Sequence, residues 1–179
     1  MLKEFEKRLL SSIILIPSTF LIILEGEIFF YIFLSLAFLI SSHEWFKMIK
    51  RYDLKILGIL FLLFSFYSAF YFRSQNLESF LLIILICIST DIGGYLFGKL
   101  FKGPKLTKIS PKKTYSGVIG GYLFSIIFMT FFFNNLDFIS EMTNIEITGQ
   151  ELTFNNFITT IFISTVSQFG DIVISYFKR

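Results

Sequence analysis

The sequence predicts an all-α protein, a polytopic transmembrane helical bundle of about six spans with both termini in the cytoplasm. Three observations carry that prediction. Of 179 residues, 54% are hydrophobic and only 16% charged, with 26 Phe and a mean hydropathy of +0.72. A soluble domain carries about 25% charged residues, so a water-soluble core of this length could not hide the apolar surface. The apolar residues also run in stretches near the ~20 residues that cross a hydrocarbon core. Finally, the basic residues fall almost entirely on one side of the layout those stretches imply. The composition likewise excludes a disordered or fibrous chain, and a lone Cys excludes a disulfide framework or a Cys-rich metal site.

The spans are expected at roughly 9–24, 28–46, 55–72, 78–100, 116–136 and 155–176. Runs such as Ile59-Leu60-Phe61-Leu62-Leu63-Phe64 do not alternate, so helices rather than barrel strands are expected. Lys3, Lys7 and Arg8 precede the first run, as in a signal peptide. No small-x-small cleavage site follows, and Glu25-Gly26-Glu27 turns directly into the second run as a tight hairpin, so the first run reads as an uncleaved span. Residues 137–153 are polar and acidic and read as an exposed external loop.

With six spans, 15 of the 16 Lys and Arg share a side with both termini, and only Arg73 lies opposite. The basic side carries four acids (Glu4, Glu6, Glu44, Asp53); the other carries Glu25, Glu27, Glu78, Asp137, Glu141, Glu146 and Glu151. The positive-inside rule places the basic side in the cytoplasm. A net charge of +3 therefore hides a strong separation. The whole chain reads as one integral membrane domain, 1–179.

Two carboxylates break the apolar pattern. Asp91 sits in a span near Gly93, Gly94 and Tyr95, and Asp171 in Gln168-Phe169-Gly170-Asp171. A charge at mid-membrane costs ~3 kcal/mol or more, so each is either hydrogen-bonded helix glue or a metal or substrate ligand. Asp91, Gly94, Tyr95 and Gly98 share a helix face, and Gly94/Gly98 and Gly117/Gly121 each form a G-x-x-x-G pair suited to close helix packing. Between these spans, Lys99 to Thr114 holds six Lys, no acid and two of the three prolines. It serves topology and anionic headgroups, or it is a phosphate site. Ser110-Pro111-Lys112-Lys113-Thr114 precedes a Gly-rich helix start whose free N–H groups favour anions. There is no Walker A, because Pro104-Lys105 follows Gly103. His43-Glu44 lacks the second His of a zinc peptidase, Trp45 suits a membrane interface, and Cys87 reads as a buried apolar residue.

Ser89-Thr90-Asp91-Ile92-Gly93-Gly94-Tyr95-Leu96-Phe97-Gly98-Lys99, then Ser110-Pro111-Lys112-Lys113-Thr114-Tyr115-Ser116-Gly117, then Gly170-Asp171 through Ser175 to Lys178-Arg179 are three ordered motifs. Together they resemble the bacterial phosphatidate cytidylyltransferase (CDP-diglyceride synthase) family. Tyr115 stands where that family commonly has Trp, and Ser116 and Ile174 replace frequent Glu residues. The family signature continues past Lys-Arg into Lys-Asp, a Pro-Gly-His-Gly-Gly turn and a further aspartate pair. The chain thus resembles a C-terminally truncated member, and its 179-residue form is expected to be inactive or nearly so.

The resemblance implies attack by the phosphate of phosphatidic acid on the α-phosphorus of CTP, with Mg²⁺ as cofactor. It implies Asp171, Asp91 and Lys178 as catalytic residues, with Asp171 on the metal and Asp91 as a ligand or orienting group. Ser110, Lys112, Lys113, Thr114 and Arg179 would bind the phosphates. The implied setting is the bacterial inner membrane; a homodimer is left open, and no feature calls for nucleic acid. Two other readings stay open: a small transporter coupled through Asp91 and Asp171, without a convincing inverted repeat to support it, and a non-catalytic remnant. The shared-site reading requires Asp91 and Asp171 to face each other; on opposite faces of the bundle it fails.

Overall fold

A computed structural model describes residues 15, 17–107, 110, 113–143 and 152–177. Among them are six helices with named bounds: α1 (Glu27–Met48), α2 (Tyr52–Gln75), α3 (Leu77–Phe101), α4 (Tyr115–Asn134), α5 (Leu136–Thr143) and α6 (Phe154–Phe177). Residues 17–25 are also helical. Five segments are long and apolar enough to cross a membrane: Ile28–Met48, and α2, α3, α4 and α6 in full. They match the second to sixth expected spans. Most of the expected span 9–24 lies outside the described residues. The break before α1 is confined to Gly26, whose φ of 66° lies in the left-handed region that glycine tolerates.

One expectation needs correction. Residues 137–153 are not all loop, because α5 occupies Leu136–Thr143. Leu136 is buried while Asp137 and Glu141 are exposed, so the segment carries a helical period within its polar composition.

The described chain divides into two compact units, Met1–Phe70 and Tyr71–Arg179. In the first, α1 and most of α2 pack through aromatics. Trp45 Nε1 donates to the Leu54 carbonyl at 3.3 Å, and its ring lies where a Cβ on Gly58 would stand. Phe38 meets Phe66 edge-on at 5.6 Å, and Tyr31 meets Phe70 at 5.2 Å.

The second unit holds α3, α4 and α6, and its interior is small and polar. Ser89, Thr90, Ser125, Thr160 and Ser164 are fully buried, while Phe131, Phe162 and Phe169 face outward. That inversion of a soluble core fits helices whose apolar surroundings are lipid. Ser89, Thr90, Ser125 and Thr160 donate to carbonyls of their own helix, as with Ser125 to the Tyr122 carbonyl at 2.9 Å and Thr160 to the Asn156 carbonyl at 2.7 Å.

Backbone meets backbone where α3 crosses α4. A Cβ on Gly93 would strike the Gly120 carbonyl and stand 2.6 Å from Phe124 Cβ. On Gly120 it would strike Phe97 and come within 2.7 Å of the Gly93 carbonyl; on Gly117 it would come within 2.8 Å of the Gly94 carbonyl. The glycines flagged by spacing thus serve packing, with Gly93 and Gly120 added at the tightest point. Helix α6 closes the group through Thr90 Oγ1 and Ser164 Oγ at 2.9 Å, and through Tyr122 and Thr165 hydroxyls at 2.9 Å.

Gly93→Ala and Gly120→Ala should each destabilise the purified protein by roughly 1–3 kcal/mol, the cost of overpacking a closed contact. Gly170→Ala is the control. Nothing stands within 4 Å of a Cβ at Gly170, so Ala there should be neutral or stabilising by up to about 1 kcal/mol. Thermal unfolding in detergent separates the two classes.

Candidate functional site

Helix α3 ends at Lys102, which adopts the left-handed conformation (φ 44°, ψ 40°) just before Gly103-Pro104. The chain then folds back on itself. Lys105 and Thr114 form an antiparallel bridge, Leu106 N donates to the Lys113 carbonyl at 2.8 Å, and Tyr115 N donates to the Pro104 carbonyl at 3.1 Å. The tip is tied by Ser110 N to Thr107 Oγ1 at 3.0 Å and by Lys113 N to the Ser110 carbonyl at 3.0 Å. Ser116 Oγ accepts from Gly103 N at 3.3 Å, pinning the base of the bracket to the first turn of α4. Thr114 caps that turn, its hydroxyl accepting from Gly117 N at 3.2 Å. The basic loop is therefore a braced hairpin that delivers Ser110, Lys113 and Thr114 to the N-terminus of α4.

Beside it opens a cleft of about 450 Å³. Asp91, Gly94 and Tyr95 line it from α3, Gly117 and Val118 from α4, and Gln168, Asp171 and Ser175 from α6, with Ser110, Lys113 and Thr114 from the hairpin and cap. The α6 residues recur at three- and four-residue intervals, so one face of that helix points inward. Asp171 lies six residues before the end of α6, about 9 Å at 1.5 Å per residue. Asp91 lies ten residues before the end of α3, about 15 Å on the same scale. The cleft thus opens toward the helix ends that carry the basic hairpin.

Lys113 Nζ forms an ion pair with Asp171 Oδ2 inside the cleft. The Lys side chain is about one quarter exposed and the Asp side chain about one half, so solvent screens part of the attraction. Lys99 Nζ lies 5.6 Å from the centre of the Tyr95 ring, holding a further cation beside the lining. Ser175 Oγ turns back to the Asp171 carbonyl at 2.7 Å. Among the described residues no three His, Cys, Asp or Glu side chains gather as a metal cluster, so the carboxylates lining this cleft are Asp91 and Asp171 alone.

Of the residues singled out in the sequence, Asp91, Asp171, Ser110, Lys113 and Thr114 come together here. Lys112, Lys178 and Arg179 lie outside the described residues. Thr90, Gln168 and Ser175 also line the cleft. Gln168 carried a signal that could have been weighed: an amide in an apolar span, one turn before an intramembrane carboxylate. Cys87 is half-buried rather than fully buried, so its reading as an interior residue holds only in part.

Comparison with known proteins agrees with the motif resemblance. The Cytidylyltransferase family pattern matches residues 54–179. The chain is 32% identical over 180 residues to the phosphatidate cytidylyltransferase of Rickettsia bellii, covering 96% of this chain and 74% of the relative. It is 30% identical over 181 residues to that of Rickettsia conorii, with the same coverage. The corresponding protein of Staphylococcus saprophyticus is 37% identical over 108 residues, or 60% of this chain and 37% of that one. No solved structure matches the chain. With more than two thirds of its residues matched and three ordered motifs around one cleft, the chain belongs to the cytidylyltransferase family.

Proposed function

We propose that this membrane protein forms CDP-diacylglycerol and pyrophosphate from CTP and phosphatidate, in the cleft of α3, α4 and α6. The observation that carries the reading is the meeting of Asp91, Asp171, Lys113 and the α4 N-terminus in one opening beside a basic hairpin. A phosphate monoester has a second pKa near ~6, so the attacking oxygen of phosphatidate is already ionised at neutral pH. That oxygen bonds to the α-phosphorus of CTP, the bond from that phosphorus to the bridging oxygen breaks, and the electron pair leaves with pyrophosphate. The protein's task is to bring two anions together and offset the charge that moves to the leaving group.

Lys113, Ser110, Thr114 and the positive end of the α4 dipole suit the triphosphate. Lys112, Lys178 and Arg179 join them through the family resemblance. Mg²⁺ typically takes one or two carboxylates and completes its shell with phosphate oxygens and water, so the two Asp residues that line the cleft among the described residues fit it. Asp171 would hold the ion, with Asp91 as second ligand or orienting group. When bound, the cation supplies charge to offset phosphate repulsion. The excess of Lys and Arg on one side supports a cytoplasmic hairpin at the bacterial inner membrane, where CTP reaches it.

The test uses radiolabelled CTP with phosphatidate vesicles and Mg²⁺. It is run on the 179-residue chain and on a chimera completed with the part of the Rickettsia bellii relative that the match leaves uncovered. The chimera should form CDP-diacylglycerol, and Asp171→Asn should lower its turnover by a factor of about 100 or more, as for loss of a charge-stabilising group. No product from either form contradicts the function, and near-normal turnover by Asp171→Asn contradicts the metal role.

A further inference from the structure

Gln168 sits one turn before Asp171 on α6 and lines the same cleft. It also joins a polar chain that runs into the protein. Thr90 Oγ1 lies 2.7 Å from the Ile86 carbonyl and 2.9 Å from Ser164 Oγ, and Gln168 Nε2 donates to Ser164 Oγ across 3.4 Å. Thr90 Oγ1 is the donor in both of its contacts, shared between the Ile86 carbonyl and Ser164 Oγ. Ser164 Oγ accepts from Thr90 Oγ1 at the other end of that contact. Ser164 Oγ also accepts from Gln168, whose amide turns its nitrogen toward it. The amide is thereby oriented, and Oε1 is the acceptor left over. Among the described residues Oε1 has no hydrogen bond.

Space for this arrangement comes from Gly121. A Cβ there would stand 3.0 Å from Gln168 Nε2 and 3.1 Å from the Thr90 carbonyl. Among the described residues Ser42 Oγ is the enclosed side-chain polar atom without a partner, so Gln168 Oε1 is not sealed away and is open to water or a ligand in the cleft it lines. It is also a hard, neutral oxygen, the donor type that divalent cations such as Mg²⁺ take alongside carboxylates.

We propose that Gln168 contributes its side-chain oxygen to the divalent cation of the Asp91–Asp171 cleft, with Thr90 and Ser164 as positioning residues that orient the amide. This rests on the metal reading of the cleft given above. Lys113, ion-paired with Asp171, supplies the balancing charge from the hairpin. A neutral third oxygen adds a donor without a third negative charge to hold between two phosphates.

The test is Mn²⁺ binding, followed by electron paramagnetic resonance on the purified chain in lipid nanodiscs with CTP. Gln168→Leu should weaken Mn²⁺ binding by about tenfold or more, while Gln168→Glu, which keeps an oxygen, should bind at least as tightly as the unaltered chain. Ser164→Ala and Thr90→Val leave Gln168 in place but free its amide, and each should weaken binding several-fold, the scale of outer-shell effects on metal affinity. Unchanged binding by Gln168→Leu, or equal loss by Gln168→Leu and Gln168→Glu, overturns the proposal. Should Gln168→Leu fail to fold, unchanged binding by Ser164→Ala overturns it. Asp171→Asn separates the two readings. If it abolishes binding while Gln168→Leu does not, only the Gln168 inference falls; if it binds normally, the cleft is not the cation site and both fall.

Discussion

The contact on which the second unit depends is the approach of two helix backbones without side chains between them. Gly93 and Gly120 face each other so closely that a Cβ on either would strike the partner helix, and Gly117 sits against the Gly94 carbonyl one turn along. Lipid offers no hydrophobic drive to press spans together, so close packing of small residues and a few interhelical hydrogen bonds must do it. The consequence reaches the cleft directly. Gly94 and Gly117 line it, and the carboxylate of Asp91 and the capped start of α4 stand on either side of that contact.

The basic hairpin is the second constraint. Six lysines without an acid would repel one another and spread a free loop. The bridge between Lys105 and Thr114, the cap at Thr114 and the Ser116 bond to Gly103 N instead hold its base against α4. Lys113 leaves that brace and reaches Asp171 on a third helix. One ion pair therefore ties the hairpin to α6. It sits where anionic substrates would meet the protein and offsets an intramembrane carboxylate that would otherwise stand as a costly charge.

Much of this was legible in the sequence. Span positions followed from apolar run length, a signal strong enough that α2, α3, α4 and α6 begin and end within about three residues of expectation, ordinary boundary uncertainty. Asp91 and Asp171 were conspicuous because a carboxylate in an apolar run has few bland explanations. Short-range periodicity was harder to see. The eight residues of α5 are too polar to stand out against a loop, yet Leu136 turns inward. Gln168, Thr90 and Ser164 were overlooked for a different reason. Hydroxyls and amides are common in spans and usually bond their own helix, so only the three-dimensional meeting of α3 and α6 shows that Thr90 and Gln168 converge on Ser164.

The central claim is that Asp91 and Asp171, 80 positions apart, act on one ligand in one cleft. A double-mutant cycle on Mg²⁺-dependent CTP affinity tests it most directly, using Asp91→Asn, Asp171→Asn and the double variant. If the two carboxylates share an ion, the double variant should lose little more than the worse single one. Losses that simply add would place the two residues in separate sites and contradict the account.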